Sequence, residues 1–271
     1  FGVQRRRAFS FFSNLSTFMP PFDTFFNPDE IAALTAPDFS PEQNLTLLAT
    51  KFAGSIVFST SFGLEDQAIT HLLHAAQLPV SVFTLDTGRL FPETYKVWSR
   101  TLEKYGMNID VYAPDTTALE SLLHKKGPLS FYESVENRKE CCEIRKLEPL
   151  TRALKGYKLW ITGIRAEQSP NRQHMEVLEW DERLGLFKFH PLFYWSQEKL
   201  VDFISQHNIP YNSLHDKGFV SIGCSPCTRA VREGEDFRAG RWWWEDNSGK
   251  ECGLHQPSDN NNKNVNTVAA L

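Results

Sequence analysis

The sequence predicts an α/β protein built on a doubly wound, mainly parallel sheet, and three observations predict it. Two short apolar runs, Ser55–Ser59 (SIVFS) and Val80–Leu85 (VSVFTL), are rich in β-branched and aromatic residues, as strands buried on both faces are. A stretch with helical spacing lies between them. Polar turns rich in hydroxyl residues or glycine follow the strands directly, where such sheets bind ligands. Taken in order, Leu64–Gln77 (LEDQAITHLLHAAQ) sets Leu64, Ala68, Leu72 and Ala76 about one turn apart, so a helix joins the first two strands. Pro92–Tyr105 reads as the next helix, Ile109–Tyr112 as a strand and Leu159–Thr162 (LWIT) as another. Ser196–Asn208 (SQEKLVDFISQHN) is an amphipathic helix capped by Ser196. Strands alternate with helices, and no internal repeat is present.

Composition narrows the class. The chain has 271 residues, of which 41% are hydrophobic and 23% charged, which excludes wholesale disorder, collagen-like sequence and a membrane bundle. No run approaches the ~18 apolar residues of a membrane span. With 29 basic and 33 acidic residues the net charge is −4, giving no general field for nucleic acid. An anionic substrate must therefore be held by locally placed Arg and Lys. Five cysteines, an odd and clustered set, point to metal or redox chemistry in a cytoplasmic protein rather than to a secreted disulfide framework. Residues 1–26 carry Arg5, Arg6 and Arg7, many Phe and Ser, and one acid, Asp23. They read as a transit peptide or, preferred because Met19 is the first methionine, as upstream sequence; a poorly ordered segment is expected. The Asn-rich residues 257–271 are expected to be a disordered tail. Residues 27–237 are expected to form the α/β domain, with 238–256 as a C-terminal segment.

Three turns and five thiols carry the chemistry. Ser59-Thr60-Ser61-Phe62-Gly63 precedes the first joining helix, with Glu65 and Asp66 just inside it. Small hydroxyl residues let backbone amides approach an anion, and a helix N-terminus favours its charge. Alone, such a turn is more often a hydrogen-bonded loop. Leu85-Asp86-Thr87-Gly88-Arg89 follows the second strand, and Thr162-Gly163-Ile164-Arg165, continuing to Gln168 and Ser169, follows a later one. Three polar loops on one sheet edge point to a nucleotide cradle. Cys141 and Cys142 are adjacent, and Cys224-Ser225-Pro226-Cys227 lies far downstream. Four thiolates fit zinc or an iron–sulfur cluster. Neighbouring residues reach one ion only through a small strained ring but bind two irons of a cluster without it, so the cluster is favoured over zinc, with reduced thiols third. Cys252 stands apart in Glu251-Cys252-Gly253-Leu254-His255, after Arg238-Ala239-Gly240-Arg241-Trp242-Trp243-Trp244. It is either an incidental terminal cysteine or a reactive thiol.

On these residues the chain resembles the assimilatory adenosine 5′-phosphosulfate reductases, the cluster-containing branch of the phosphoadenylyl-sulfate reductase family. The matching stretches are STSFGLED, LDTGRLFPETY, CCEIRKLEPL, TGIRAEQS, YNSLHDKGFVSIGCSPCT, RAGRWWW and ECGLH, in family order from Gly54 to His255. The resemblance implies the adenine-nucleotide α-hydrolase-like (PP-loop) fold of the ATP pyrophosphatases. Thr60 and Ser61 stand where those enzymes have glycines, which speaks for a phosphosulfate ligand over ATP cleavage.

The resemblance makes Cys252 the nucleophile, attacking the phosphosulfate sulfur, expelling AMP and becoming S-sulfocysteine, with His255 beside it. It places the substrate on Ser59, Thr60, Ser61, Phe62, Gly63, Asp66, Leu85, Asp86, Thr87, Gly88, Arg89 and Gly163, and its anionic groups on Lys146, Arg165, Arg238 and Arg241. It gives a 4Fe–4S cluster to Cys141, Cys142, Cys224 and Cys227, and thioredoxin or a glutaredoxin-like protein as the external reductant. A homo-oligomer is compatible with it; nucleic acid and membrane are not expected partners. The rival readings are reduction of the 3′-phosphorylated nucleotide by the same chemistry and, more distantly, a zinc-stabilised ATP-pyrophosphatase-like protein.

Overall fold

The computed structural model describes residues 22–245. The expectations for residues 1–21, for the tail 257–271 and for the segment holding Cys252 and His255 lie outside the described residues. A six-stranded sheet organises the chain: β1 (Ile56–Ser59), β2 (Ser81–Leu85), β3 (Asp110–Tyr112), β4 (Leu159–Ile161), β5 (Leu178–Asp181) and β6 (Leu186–Phe189), in the order β3-β2-β1-β4-β6-β5. Every neighbouring pair is parallel except β5 with β6. β1 faces β2 on one side and β4 on the other, so the chain leaves it in opposite directions. A crevice opens at that switch point.

Side chains alternate with the period of two that a pleated strand requires. Ile56, Phe58, Leu159, Ile161, Phe187 and Phe189 share one core. It is covered by α1 (Phe22–Phe25), α2 (Pro28–Thr35), α3 (Pro41–Lys51), α4 (Leu64–Ala75) and α9 (Gln197–Gln206). Between α4 and α9 in the chain come α5 (Pro92–Tyr105), α6 (Thr116–Lys126), α7 (Val135–Cys142) and α8 (Glu148–Leu154). Val57, Phe83, Trp160 and Leu186 point the other way, onto Leu150, Ala153 and Leu154 of α8. Each such side chain, fully buried, contributes about 1.5–3 kcal/mol.

The folded chain begins earlier than residue 27. α1 is helical, Phe26 is buried, and the Phe22 and Phe26 rings meet Phe187 at 5.0 and 5.1 Å. Asn27 then caps α2 reciprocally with Glu30. The sequence also concealed the β5–β6 hairpin, because Lys188 interrupts its apolar run. Lys188 is 2% exposed and is matched by Asp181 at 2.6 Å and Glu179 at 3.6 Å. Among the described residues no helix is long and apolar enough to cross a membrane.

Candidate active site

The turn after β1 is held by its own side chains. Asp66, in the first turn of α4, accepts from the Ser61 N–H at 2.6 Å and the Ser61 hydroxyl at 2.7 Å through one oxygen. Burial pushes the Asp66 carboxyl up to about 6, against the two Ser61 bonds that pull it down. The Phe62 N–H donates to Thr60 Oγ1 at 3.1 Å, and Phe62 takes φ 62°, in the left-handed region. Its ring offsets that strain by stacking on Trp98 at 5.3 Å. Ser59 Oγ accepts from Trp160 Nε1 at 2.8 Å. Gly163, in the turn after β4, passes so close that a Cβ there would collide with the Asp66 carboxylate.

The turn after β2 serves two places. Leu85 and Thr87 line the crevice. Asp86 accepts from the Gly88 N–H at 2.9 Å and from Tyr95 at 2.8 Å, and so shapes the loop. Arg89 turns instead to a second pocket, where it lies 4.7 Å over the Phe131 ring and donates to Pro128 O. That pocket is lined by all four described cysteines. Cys141 and Cys142 close α7 where the helix widens into a π turn, Glu143–Leu147, a distortion common at functional sites. Cys224 and Cys227 flank a 3₁₀ turn closed by Cys227 N–H to Cys224 O at 3.0 Å. Thr87 Oγ1 lies 3.3 Å from Cys224 Sγ, and Arg145 donates to Thr87 O at 2.6 Å.

The thiols, Cys224 and Cys227 buried and Cys141 and Cys142 half-buried, sit in a cationic surround. Burial pushes the Cys227 thiol up to about 12 and raises that of Cys141, in the latter case against Arg145 and Arg89. Arg89, Arg138, Arg145, Lys146 and Arg241 line the pocket. Among the described residues, the buried donors Arg145 Nε, Arg241 Nε and Trp242 Nε1 have no hydrogen-bond partner. Among the described residues no three Cys, His, Asp or Glu side chains are gathered as ligands of a single ion.

The turn after β4 places two arginines differently. Arg165, expected on the substrate, is 1% exposed and does not line the crevice. It binds Glu65 at 2.9 Å, Glu167 at 3.2 Å, Trp195 O at 3.0 Å and Gln197. Arg172, in the short 3₁₀ turn Arg172–His174, lines the crevice instead. Phe62, Asp86, Gly88 and Arg89 also fall outside its lining.

The crevice is a cavity of about 230 Å³. Ser59, Thr60, Ser61, Gly63, Asp66, Leu85, Thr87 and Gly163 line it, with Lys146, Arg238 and Arg241. Lys146 and Arg241 belong to both pockets. Arg241 Nη1 reaches Ser221 Oγ at 3.4 Å, and its guanidinium fills the space where Gly223 would carry a Cβ. Sequence reasoning gave no role to His215, Ser221, Gly223 and Phe237, which also line the cavity. Burial holds the His215 imidazole below its usual range, with Glu65 opposing. All but Phe237 lie within the stretch YNSLHDKGFVSIGCSPCT, which was a signal without an assigned side chain. A crevice with several cations and hydroxyl-bearing turns at a sheet switch point suits an anionic nucleotide.

Comparison with known proteins agrees with that geometry. A family model described as the phosphoadenosine phosphosulfate reductase domain matches residues 55–230. The adenosine 5′-phosphosulfate reductase of Allochromatium vinosum is 50% identical over 202 residues, 74% of this chain and 79% of that protein. That of Agrobacterium fabrum is 46% identical over 202 residues, 74% of this chain and 78% of the relative. The crystal structure of phosphoadenylyl-sulfate reductase from Candida auris, a phosphate complex, superposes with TM-score 0.63 at 27% identity, covering 76% of this chain and 98% of that one. An FMN adenylyltransferase structure from Candida glabrata, at TM-score 0.50 and 16% identity over 76% of this chain and 71% of that one, shares the fold alone. With more than half of its length matched by one family model and relatives near half identity over three quarters of it, the chain belongs to the phosphoadenosine phosphosulfate reductase domain family.

Proposed function

We propose that this protein reduces adenosine 5′-phosphosulfate to sulfite and AMP, with Cys252 as nucleophile and a thioredoxin-like dithiol protein as electron donor. One observation carries most of the weight: a cavity with Lys146, Arg172, Arg238 and Arg241 in its wall shares two of those cations with a pocket of four thiols. The relatives named adenosine 5′-phosphosulfate reductase support the unphosphorylated nucleotide as substrate. Thiolate and phosphosulfate are both anions, and the four cations offset their repulsion.

The Cys252 thiolate attacks the sulfate sulfur. A sulfur–sulfur bond forms, the bond from that sulfur to the phosphate oxygen breaks, and its electron pair leaves with AMP. A thiolate of the reductant then attacks Cys252 Sγ and sulfite departs with the bonding pair. The reductant's second thiol closes its own disulfide and returns Cys252 reduced, so the dithiol supplies both electrons. His255 is assigned as the partner of the Cys252 thiolate.

In this reading Cys141, Cys142, Cys224 and Cys227 would hold a 4Fe–4S cluster. The soft thiolate set fits it, and Arg145 Nε, Arg241 Nε and Trp242 Nε1, unpartnered among the described residues, suit sulfur acceptors. When bound, the cluster supplies a compact anionic centre beside Lys146 and Arg241. Reduced thiols of this kind belong in the cytoplasm.

Anaerobic purification tests the reading. Brown protein with equal iron and acid-labile sulfide, bleached by Cys142→Ser, is expected. With thioredoxin it should form sulfite from adenosine 5′-phosphosulfate in preference to the 3′-phosphorylated nucleotide. Without reductant it should release AMP once per site and gain one sulfo group on Cys252. Stoichiometric zinc with ATP cleavage, or sustained sulfite formation by Cys252→Ser, would overturn it.

A further inference from the structure

Arg172 is held at the cavity wall by a neutral amide. Gln168 Oε1 accepts from Arg172 Nη1 and, at 3.1 Å, from the Arg165 backbone N–H. The other end of the same amide, Nε2, donates to Glu65 Oε1 at 2.8 Å and to Gly163 O at 3.3 Å. Glu65 is fixed in turn by Arg165 Nε at 2.9 Å, and Arg165 is anchored on Trp195 O. The frame sets which way the amide faces. Turned over, its NH₂ would meet two N–H donors and its oxygen a carboxylate and a carbonyl. Gln168 and Arg172 line the cavity, whereas Arg165 does not. A glutamine oxygen accepts from the guanidinium and adds no charge of its own, which a carboxylate in its place would do.

We propose that Gln168 is a positioning residue that sets Arg172 against the anionic 5′ group of the nucleotide, and that Arg165 acts on the substrate only through this frame. The inference rests on the nucleotide reading above.

Calorimetric binding of adenosine, AMP and adenosine 5′-phosphosulfate to the full chain, purified anaerobically as Cys252→Ser so that the last ligand is not consumed, tests it. Gln168→Met should weaken the anionic ligands about ten-fold and leave adenosine unchanged. Combined with Arg172→Met it should be no weaker than Arg172→Met alone. Loss with both nucleotides would place Arg172 at the phosphate, and loss with the phosphosulfate alone would place it at the sulfate; either supports the proposal. Gln168→Glu is the second arm. Its new carboxyl faces Arg172, Arg165 and Glu65, with Asp66 beyond them. It should bind both anions weakly at about pH 8 and regain them toward about pH 5 as it protonates, after the parent's own profile, which includes Asp66, is subtracted. Equal loss for adenosine, an additive double variant, or no recovery on acidification would overturn the inference alone. A parent that binds none of the three ligands would overturn the nucleotide reading with it.

Discussion

Asp66 both anchors the turn after β1 and is paid for in stability. Its carboxyl, pushed up to about 6 mainly by burial, binds a proton more tightly folded than unfolded, so stability falls as pH rises from about 4 to about 6. The ionised group costs on the order of 3 kcal/mol at neutral pH. Asp66→Asn should lose that dependence, so the difference between parent and variant urea midpoints should widen across this window in the variant's favour; a constant difference would contradict the assignment. Gly163 has no room beside the same carboxylate. Gly163→Ala should destabilise by about 1–3 kcal/mol and weaken AMP binding by displacing the Ser61 turn, read by thermal melting and titration. Residue roles were the least legible part of the sequence. Arg165 and Arg172 both follow the LWIT strand, and only the packing of Glu65 and Trp195 shows which of them turns inward.

The elements that carry the site were legible where apolar period and capping agreed. Pro92–Tyr105 forms over its expected span, and the strands lie within a residue or so of their predicted ends. What stayed hidden had charge in apolar places. Lys188 masks β6, and VENRKECCEIRKLEPL shows no clean period because the helix there passes through a π turn before α8. That turn puts Lys146 on the wall between the two pockets. Ser134 caps α7 by accepting from the Asn137 N–H at 3.1 Å. Ser134→Ala should cost about 1 kcal/mol in denaturant melts. If the thiols hold a cluster, iron should also leave the variant faster under a chelator, because Cys141 and Cys142 end the same short helix.

Across the whole molecule, long-range pairs join the thiol pocket to the rest of the fold. Arg138 on α7 binds Glu245 at 2.8 and 2.9 Å, both side chains buried, and lies 4.6 Å over the Trp242 ring. Arg138→Met would leave Glu245 buried without its cation and should cost about 3–5 kcal/mol, with Glu245→Gln in the same chain restoring part of it; equilibrium unfolding of the three proteins measures both effects. The wall between the pockets bears on how such a molecule changes over generations. A substitution at Lys146 or Arg241 is answered by two pockets at once, whereas one at Arg172 or Arg238 is answered by the nucleotide side alone. The first two positions are therefore the narrower target for inherited change. A descendant that gave up the thiols would find its new latitude there, able to redraw the charge of its substrate cavity at the two places where its ancestor had the least choice.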